Sequence, residues 1–397
     1  MNGRFRIFAW IVLFSAAFAC LLVLSFLAVE PSGTVSQATR ATNLTRALNR
    51  LVNRPDGPPG AIVIVQRGRK RDDFAAGDAI ACKNSDKRLC GRARPPRPSD
   101  AMRIASVSKT FSGAAALALV SDGDLTLDNT IGTVLPDLPS AWHAVRLRDL
   151  LNHTSGLPDF AKSPNFGATV ATSPHKAPPP RVLLSFVEDE PLTFAPGSAY
   201  AYSNSDNIVV GLMVEAVSGK PYATVLREKI YKPLRLKRTQ LKNKARMPKP
   251  FIHGYGVAED GSLVDVSTEI AFGGYAWASG GTVSSPADLS SFVRAYVGGA
   301  LFGKAARDAQ FTFRNGDASS PPGPGKNAAG LALFRYNTRC GTVYGHTGSI
   351  LGYTQLIAST RNGQKSVTFS INTQAGESLI PALRRAQVKA VCLALGK

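Results

Sequence analysis

Ser106-Val107-Ser108-Lys109-Thr110-Phe111-Ser112-Gly113-Ala114-Ala115-Ala116-Leu117-Ala118-Leu119-Val120 is the stretch around which the rest of the chain has to fold. Apolar and small residues cover nearly every side of its helical projection, and Asp122-Gly123 stops it. A helix that is apolar all round is a buried one, so the spacing predicts a domain built over it. Ser106 falls at the predicted N-terminus, where free backbone N–H groups and the helix dipole favour a developing negative charge. Residues three apart share a helical face, which brings the Lys109 amine to the Ser106 hydroxyl. A serine hydroxyl is a weak nucleophile until a base takes its proton, and a neighbouring lysine is one such base. The S-x-x-K spacing alone says little, because Ser173-Pro174-His175-Lys176 shows it too. Pro174 and the run Pro178-Pro179-Pro180 keep that second match off a regular helix.

Outward from this helix, the pattern divides the chain into strand-rich ends and a helical middle. Thr39 to Val52 places Leu44, Ala47, Leu48 and Leu51 at helical spacing, and Ala61-Ile62-Val63-Ile64-Val65 reads as a strand leading through a basic turn, Arg67 to Arg71, toward a second. From about Thr126 to Val264 helices and proline-laden loops dominate. Ala287 to Val297 reads as a helix, and Leu331 to Tyr336, Thr342 to Gly345, Tyr353 to Ser359 and Ser366 to Asn372 read as successive strands. A closing helix runs from about Leu379 to Leu395. The predicted class is α/β (α+β): one antiparallel sheet built from both termini, flanked by helices, with a mostly helical lobe inserted. Residues 1–33 are assigned to a membrane anchor or signal, 34–59 to a linker and first helix, and 60–397 to the main domain.

The chain has 397 residues, a hydrophobic fraction of 44% and a net charge of +20. Such a composition belongs to a folded protein. Much of the basic excess lies between Arg40 and Arg97, scattered, without interleaved aromatics or a reader motif. It therefore reads as a surface facing an anionic cell-envelope polymer or lipid, and no nucleic-acid partner is expected. Ile7 to Val29 is an apolar run of 23 residues preceded by Arg4 and Arg6. As a helix it spans about 34 Å, enough to cross a bilayer. It is read as an uncleaved anchor, with a cleaved signal as the alternative, and the rest of the chain as exported to the periplasmic or extracellular face. Four cysteines follow Cys20. Cys82 and Cys90 bracket a short polar loop suited to a local disulfide, which leaves Cys340 for Cys392. Their spacing does not suit zinc, and no metal or cofactor is expected.

Two further segments bear on Ser106. Ala199-Tyr200-Ala201-Tyr202-Ser203-Asn204-Ser205-Asp206-Asn207 precedes an apolar helix, Ile208 to Val217. A tyrosine held near a lysine can relay a proton. Tyr344-Gly345-His346-Thr347-Gly348-Ser349 places glycines on a strand, where a substrate backbone can approach closely. In this order the three segments resemble the serine penicillin-recognising enzymes, in particular the class C β-lactamase and serine D-alanyl-D-alanine carboxypeptidase branch. Leu150-Leu151-Asn152-His153-Thr154-Ser155-Gly156-Leu157-Pro158, Phe194-Ala195-Pro196-Gly197 and Ala278-Ser279-Gly280-Gly281 extend the resemblance over about residues 60 to 395.

That resemblance implies a covalent acyl-enzyme. Ser106 would be the nucleophile, Lys109 its base and Tyr202 the proton relay. Asn204 would hold the substrate amide and Lys109, and the backbone N–H groups of Ser106 and Ser349 would form the oxyanion hole. His346, Thr347 and Gly348 would bind the substrate's carboxylate or polar tail. The substrate would be a peptide, a β-lactam or an ester. His346 stands where β-lactamases usually carry lysine, which points toward the D-Ala-D-Ala peptidases, D-aminopeptidases and esterases of the family. Ser205-Asp206-Asn207 mimics another branch's Ser-Asp-Asn element, but the register of Val209 to Glu215 favours Tyr202-Ser203-Asn204. His153 is read as a residue that organises its loop.

Overall fold

A computed structural model describes residues 36–81, 93–314 and 321–397. The helix α1 (Gln37–Val52) is capped by Ser36, whose hydroxyl accepts from the Thr39 N–H at 3.1 Å. The hairpin β1 (Gly60–Arg67) and β2 (Lys70–Gly77) follows. Five more strands come late in the chain: β3 (Lys326–Ala329), β4 (Phe334–Thr338), β5 (Gly341–Ile350), β6 (Tyr353–Ser359) and β7 (Lys365–Ile371). The spatial order is β2-β1-β7-β6-β5-β4-β3, with every neighbouring pair antiparallel. Val63 of β1 lies opposite Phe369 of β7, so the two ends of the chain meet inside one sheet, as the sequence pattern predicts.

Alternation along β1 divides the core between the two faces of the sheet. Ala61, Val63 and Val65 pack with Leu44, Leu48 and Leu51 of α1 and with the closing helix α5 (Ile380–Leu395). Ile62 points the other way, into a larger cluster with three helices: α2 (Ser108–Asp122), α3 (Asn204–Ser218) and α4 (Pro286–Gly298). The helix α1 thus shares a core with the sheet, and the boundary drawn at residue 60 does not separate two cores. Residues Ser36–Lys397 form one compact unit. Cys340, in the β4–β5 turn, is disulfide-bonded to Cys392 of α5, with the Cα atoms 5.2 Å apart. The pairing expected for Cys82 with Cys90 and the anchor expected over residues 7–29 lie outside the described residues. Among the described residues no single helix is long and apolar enough to cross a membrane.

The helix α2 is buried along its length from Ser108 to Leu119, as its all-round apolar composition requires. Phe111 stacks on Phe292 of α4 with ring centroids 3.7 Å apart. Each such buried aromatic contributes roughly 1.5–3 kcal/mol of transfer free energy. A Cβ on Gly113 would lie 2.0 Å from the Ala332 Cβ, so even alanine there would force the β3–β4 connection away from the helix. The helix starts two residues later than predicted. Ser106 sits on a 3₁₀ turn, Ala105–Val107, just before it, because Ala105 at φ +51° lies in the left-handed region and cannot begin an α-helical run.

Candidate active site

Ala105 is strained in that conformation, since a Cβ disfavours the left-handed region, and the strain aims the next residue, Ser106, into a cleft. Lys109 lies one turn on, in the first turn of α2, and its side chain runs through the core at 1% exposure. Its Nζ stands 3.5 Å from Ser106 Oγ, 2.7 Å from Asn204 Oδ1 and 2.8 Å from the Ser279 carbonyl. Burial lowers the Lys109 amine from its ordinary 10.5 to about 7, against the pull of the Asp159 and Asp206 carboxylates toward the charged form. At 1.36 kcal/mol per unit, this disfavours the ammonium by about 5 kcal/mol. Burial thus brings the neutral, proton-accepting amine within reach near neutral pH.

The segment before α3 supplies the opposite side. Tyr202 and Asn204 line the same cleft as Ser106. The Tyr202 ring centroid lies 4.8 Å from Lys109 Nζ and 4.4 Å from the His153 ring. Its phenol is buried and makes no hydrogen bond of standard geometry among the described residues. Burial pushes it well above its ordinary value, although the nearby Ser106 hydroxyl pulls the other way. Tyr202 thus stays a proton donor while Lys109 is the group able to accept. Ser205, Asp206 and Asn207 turn away from the cleft. Ser205 Oγ donates to the Pro158 carbonyl at 2.5 Å, Asp206 accepts from His153 and Ser155, and Asn207 donates to Ser112.

The third wall is the edge of β5. Pairing with β4 ends at Gly345, so residues 346–350 have β6 on one side and no strand on the other. The 3₁₀ turn abuts that free edge. A Cβ on Gly348 would lie 2.5 Å from the Ile104 carbonyl oxygen and 3.2 Å from the Ser106 nitrogen, so only glycine permits this approach. Thr347, Gly348 and Ser349 line the cleft. His346 does not. It is 1% exposed, sits behind the pair beside Lys109 and His153, and Nδ1 donates to the Thr347 carbonyl at 2.5 Å. Burial lowers its imidazole to about 3. His346 shares the face of β5 that Gly348 turns to the Ser106 turn, but lies two residues back, buried behind Lys109, so the structure does not bring it to the cleft lining with Thr347 and Gly348. His153, at φ +60° and bonded to Asp206 at 2.7 Å, organises its loop as expected.

The cleft holds about 490 Å³. One end is aromatic, with Phe160, Phe166, Phe272 and Tyr275; the other carries Arg384 from α5. Sequence reading assigned no role to these residues, nor to Asp159, which accepts from the Asn204 backbone at 3.1 Å. The aromatics come from three short helical segments, Phe160–Lys162, Pro164–Thr172 and Phe272–Tyr275, which no local motif connects. Asp159 had a local signal, since it directly follows Leu157-Pro158 and caps the turn Phe160–Lys162. Ser173-Pro174-His175-Lys176 forms a turn, with the Lys176 N–H bonded to the Ser173 carbonyl at 3.0 Å. Among the described residues, no cluster of three or more His, Cys, Asp or Glu could hold a metal.

A serine on a strained turn, a buried amine beside it and a glycine-bearing strand edge form a known arrangement. The family model described as Beta-lactamase matches residues 48–391. The chain belongs to the Beta-lactamase family. Its members are serine hydrolases, and the relatives found here are consistent with that. Penicillin-binding protein 4* of Bacillus subtilis (strain 168) is 25% identical over 311 residues, covering 74% of this chain and 65% of the relative. A provisionally named D-alanyl-D-alanine carboxypeptidase of Escherichia coli (strain K12) is 32% identical over 145 residues, 34% of this chain and 32% of that protein. The chain thus matches about a third to two thirds of the length of these relatives. Among solved structures, a D-stereospecific amidohydrolase from Streptomyces sp. superposes with a TM-score of 0.73 at 29% identity, covering 87% of this chain and 98% of the other.

Proposed function

We propose that the chain is an exported hydrolase that cleaves a peptide through an acyl-enzyme on Ser106, in the manner of a D-alanyl-D-alanine carboxypeptidase. The observation that carries the reading is a buried amine, held near pKa 7, with Nζ 3.5 Å from the Ser106 hydroxyl. Neutral Lys109 takes the Ser106 proton as Oγ attacks the substrate carbonyl. The oxyanion is held by the backbone N–H groups of Ser106 and Ser349, at about 3 kcal/mol per donor. Tyr202 gives its proton to the leaving amine and recovers one from Lys109. The C–N bond breaks, and the acyl group stays on Ser106. Water then attacks the ester, giving up its proton through the same groups, and Ser106 Oγ leaves reprotonated. Asn204 holds Lys109, and Thr347 with Gly348 binds the substrate along the β5 edge.

A leaving group with a free carboxylate is supported by the polar end of the cleft. Arg384 lines the cleft with Nη1 donating to Gln387 Oε1 at 2.7 Å and Nη2 to the Pro322 carbonyl at 2.6 Å, while its Nε and Thr347 Oγ1 are buried without a partner of standard geometry among the described residues. A second reading, an amidase, D-aminopeptidase or esterase of the same fold, is supported by the likeness to the D-stereospecific amidohydrolase and by histidine at position 346. A non-catalytic penicillin-binding sensor has no need of an activated nucleophile. Export rests on the apolar run at residues 7–29 and on the penicillin-binding relative. The test is to assay the purified chain on D-Ala-D-Ala peptides, their C-terminal amides, p-nitrophenyl esters and nitrocefin, with a fluorescent penicillin as active-site label. Turnover of the free-carboxylate peptide, lost selectively in Arg384→Gln, is expected. Equal turnover of acid and amide peptides would move the reading to the amidase class, and absence of any label on Ser106 would remove the hydrolase.

A further inference from the structure

Asn204 is bound on two sides by groups of opposite demand. Its Oδ1 accepts from Lys109 Nζ at 2.7 Å. Its Nδ2 donates to both carboxylate oxygens of Asp159, at 3.1 Å each, and its backbone N–H donates to Asp159 Oδ1 at 3.1 Å. Asp159 is itself fixed by the Ala161 N–H, which donates to Oδ1 at 3.1 Å. Asn204 opens α3, so its N–H is one of the first-turn donors without an intrahelical partner, and Asp159 satisfies it. A flipped amide would turn its NH₂ against the amine and its oxygen against the carboxylate. The oxygen against the carboxylate would be repulsive whatever the charge on the amine, so Asp159 admits one orientation alone.

We propose that Asp159 is a positioning residue of the reaction centre: it locks the Asn204 amide with Oδ1 toward Lys109, and so holds the amine against Ser106. This rests on the serine–lysine reading above. Asp159 acts through Asn204 and does not line the cleft, unlike its neighbours Phe160 and Ala161. Its carboxylate also favours the charged amine. The other groups facing Lys109 are Asp206, Tyr202 and Asn204 from the α3 segment, His153 from its loop, His346 from β5, Ser106 and the Ser279 carbonyl.

The charge gives a readout with a decisive sign. Replacing Asp159 by asparagine removes an interaction that raises the Lys109 pKa, so the pH at which the amine becomes neutral moves below about 7. Damage that merely opened the site to water would relax Lys109 upward, toward its ordinary 10.5, and shift the limb the other way. The experiment measures the rate of Ser106 labelling by a fluorophosphonate against pH for the purified chain and for Asp159→Asn, Asp159→Glu, Asn204→Ala and the Asp159→Asn/Asn204→Ala double variant. Thermal melting checks that each is folded. The expected result is a plateau about 10- to 100-fold lower in Asp159→Asn, the scale of a displacement of about 1 Å. Its acid limb moves to lower pH, Asp159→Glu recovers part of the rate, and the double variant is no slower than Asn204→Ala alone. A wild-type rate in Asp159→Asn, a limb moved to higher pH, or losses that multiply in the double variant would each overturn the proposal. A wild-type chain that takes no label fails at the hydrolase reading itself, a result distinct from any of these.

Discussion

The serine side of the cleft and the aromatic side face the same space, yet their residues are fixed by different forces. On the serine side Lys109 and Asn204 are held by directional bonds: Lys109 by Asn204 and Ser279, and Asn204 by Asp159. On the aromatic side Phe160, Phe166 and Tyr275 pack ring against ring, with centroids 5.0 and 6.1 Å apart, and Tyr275 also donates through its hydroxyl to the Ser173 carbonyl at 2.6 Å. Hydrogen bonds fix an atom to within a few tenths of an ångström, whereas ring packing fixes a shape and tolerates exchange of side chains. The difference teaches where chemistry resides and where preference resides. On the proposed reaction, the polar side sets whether a bond is cut and the aromatic side which acyl group enters, a division that substitutions on each side test.

Substitutions on the two sides should therefore fail in different ways. The largest effect is expected from Ser106→Ala, with turnover reduced by about 10³-fold or more and the melting temperature close to that of the wild type. Retained turnover in that variant would place the nucleophile elsewhere. Gly348→Ala comes next. Its Cβ would press on the Ile104 carbonyl at 2.5 Å and widen the gap between the 3₁₀ turn and β5, so kcat should fall by roughly 10²-fold with little change in KM. A rise in KM alone would mean that the strand edge binds substrate without holding the oxyanion. Phe272→Ala, on the aromatic side, should raise KM for bulky acyl groups by about tenfold and leave kcat nearly unchanged, which Michaelis kinetics on two acyl series would show. A fall in kcat instead would erase the distinction between the sides.

The smallest effect concerns stability. His346 is buried, with its imidazole lowered from 6.5 to about 3. The unfolded chain then binds a proton in the window from about 6.5 down to 3 that the folded chain refuses, so the fold loses stability as pH falls through that window. His346→Gln should flatten the acid side of the melting-temperature profile by one group's share. An unchanged slope would show that His346 is already protonated in the fold.

The two sides also differ in how far the sequence discloses them. Ser106, Lys109, Tyr202 and Asn204 were legible because each lies in a short motif whose spacing matches a local geometry. The sheet was legible at its apolar strands, where Ile62 to Val65 and Val367 to Ile371 leave no other reading. The strand Lys326–Ala329, at the sheet edge, was not, since its Lys-Asn-Ala-Ala carries no β-branched or aromatic residue. Arg384, Phe166 and Phe272 converge through tertiary packing, with no signal in their own segments. His346 was found by its motif, but its burial behind Lys109 was not legible, because a motif names a residue without saying how deep in the strand's packing it sits.

The most direct test of the central claim is the pH dependence of Ser106 labelling in the wild-type chain, read by mass spectrometry of the modified peptide. The serine–lysine account predicts covalent modification confined to Ser106, with a rate that rises through a single limb centred near pH 7 as the Lys109 amine loses its proton. A limb near the ordinary lysine value of 10.5, or label on a serine other than Ser106, would contradict it.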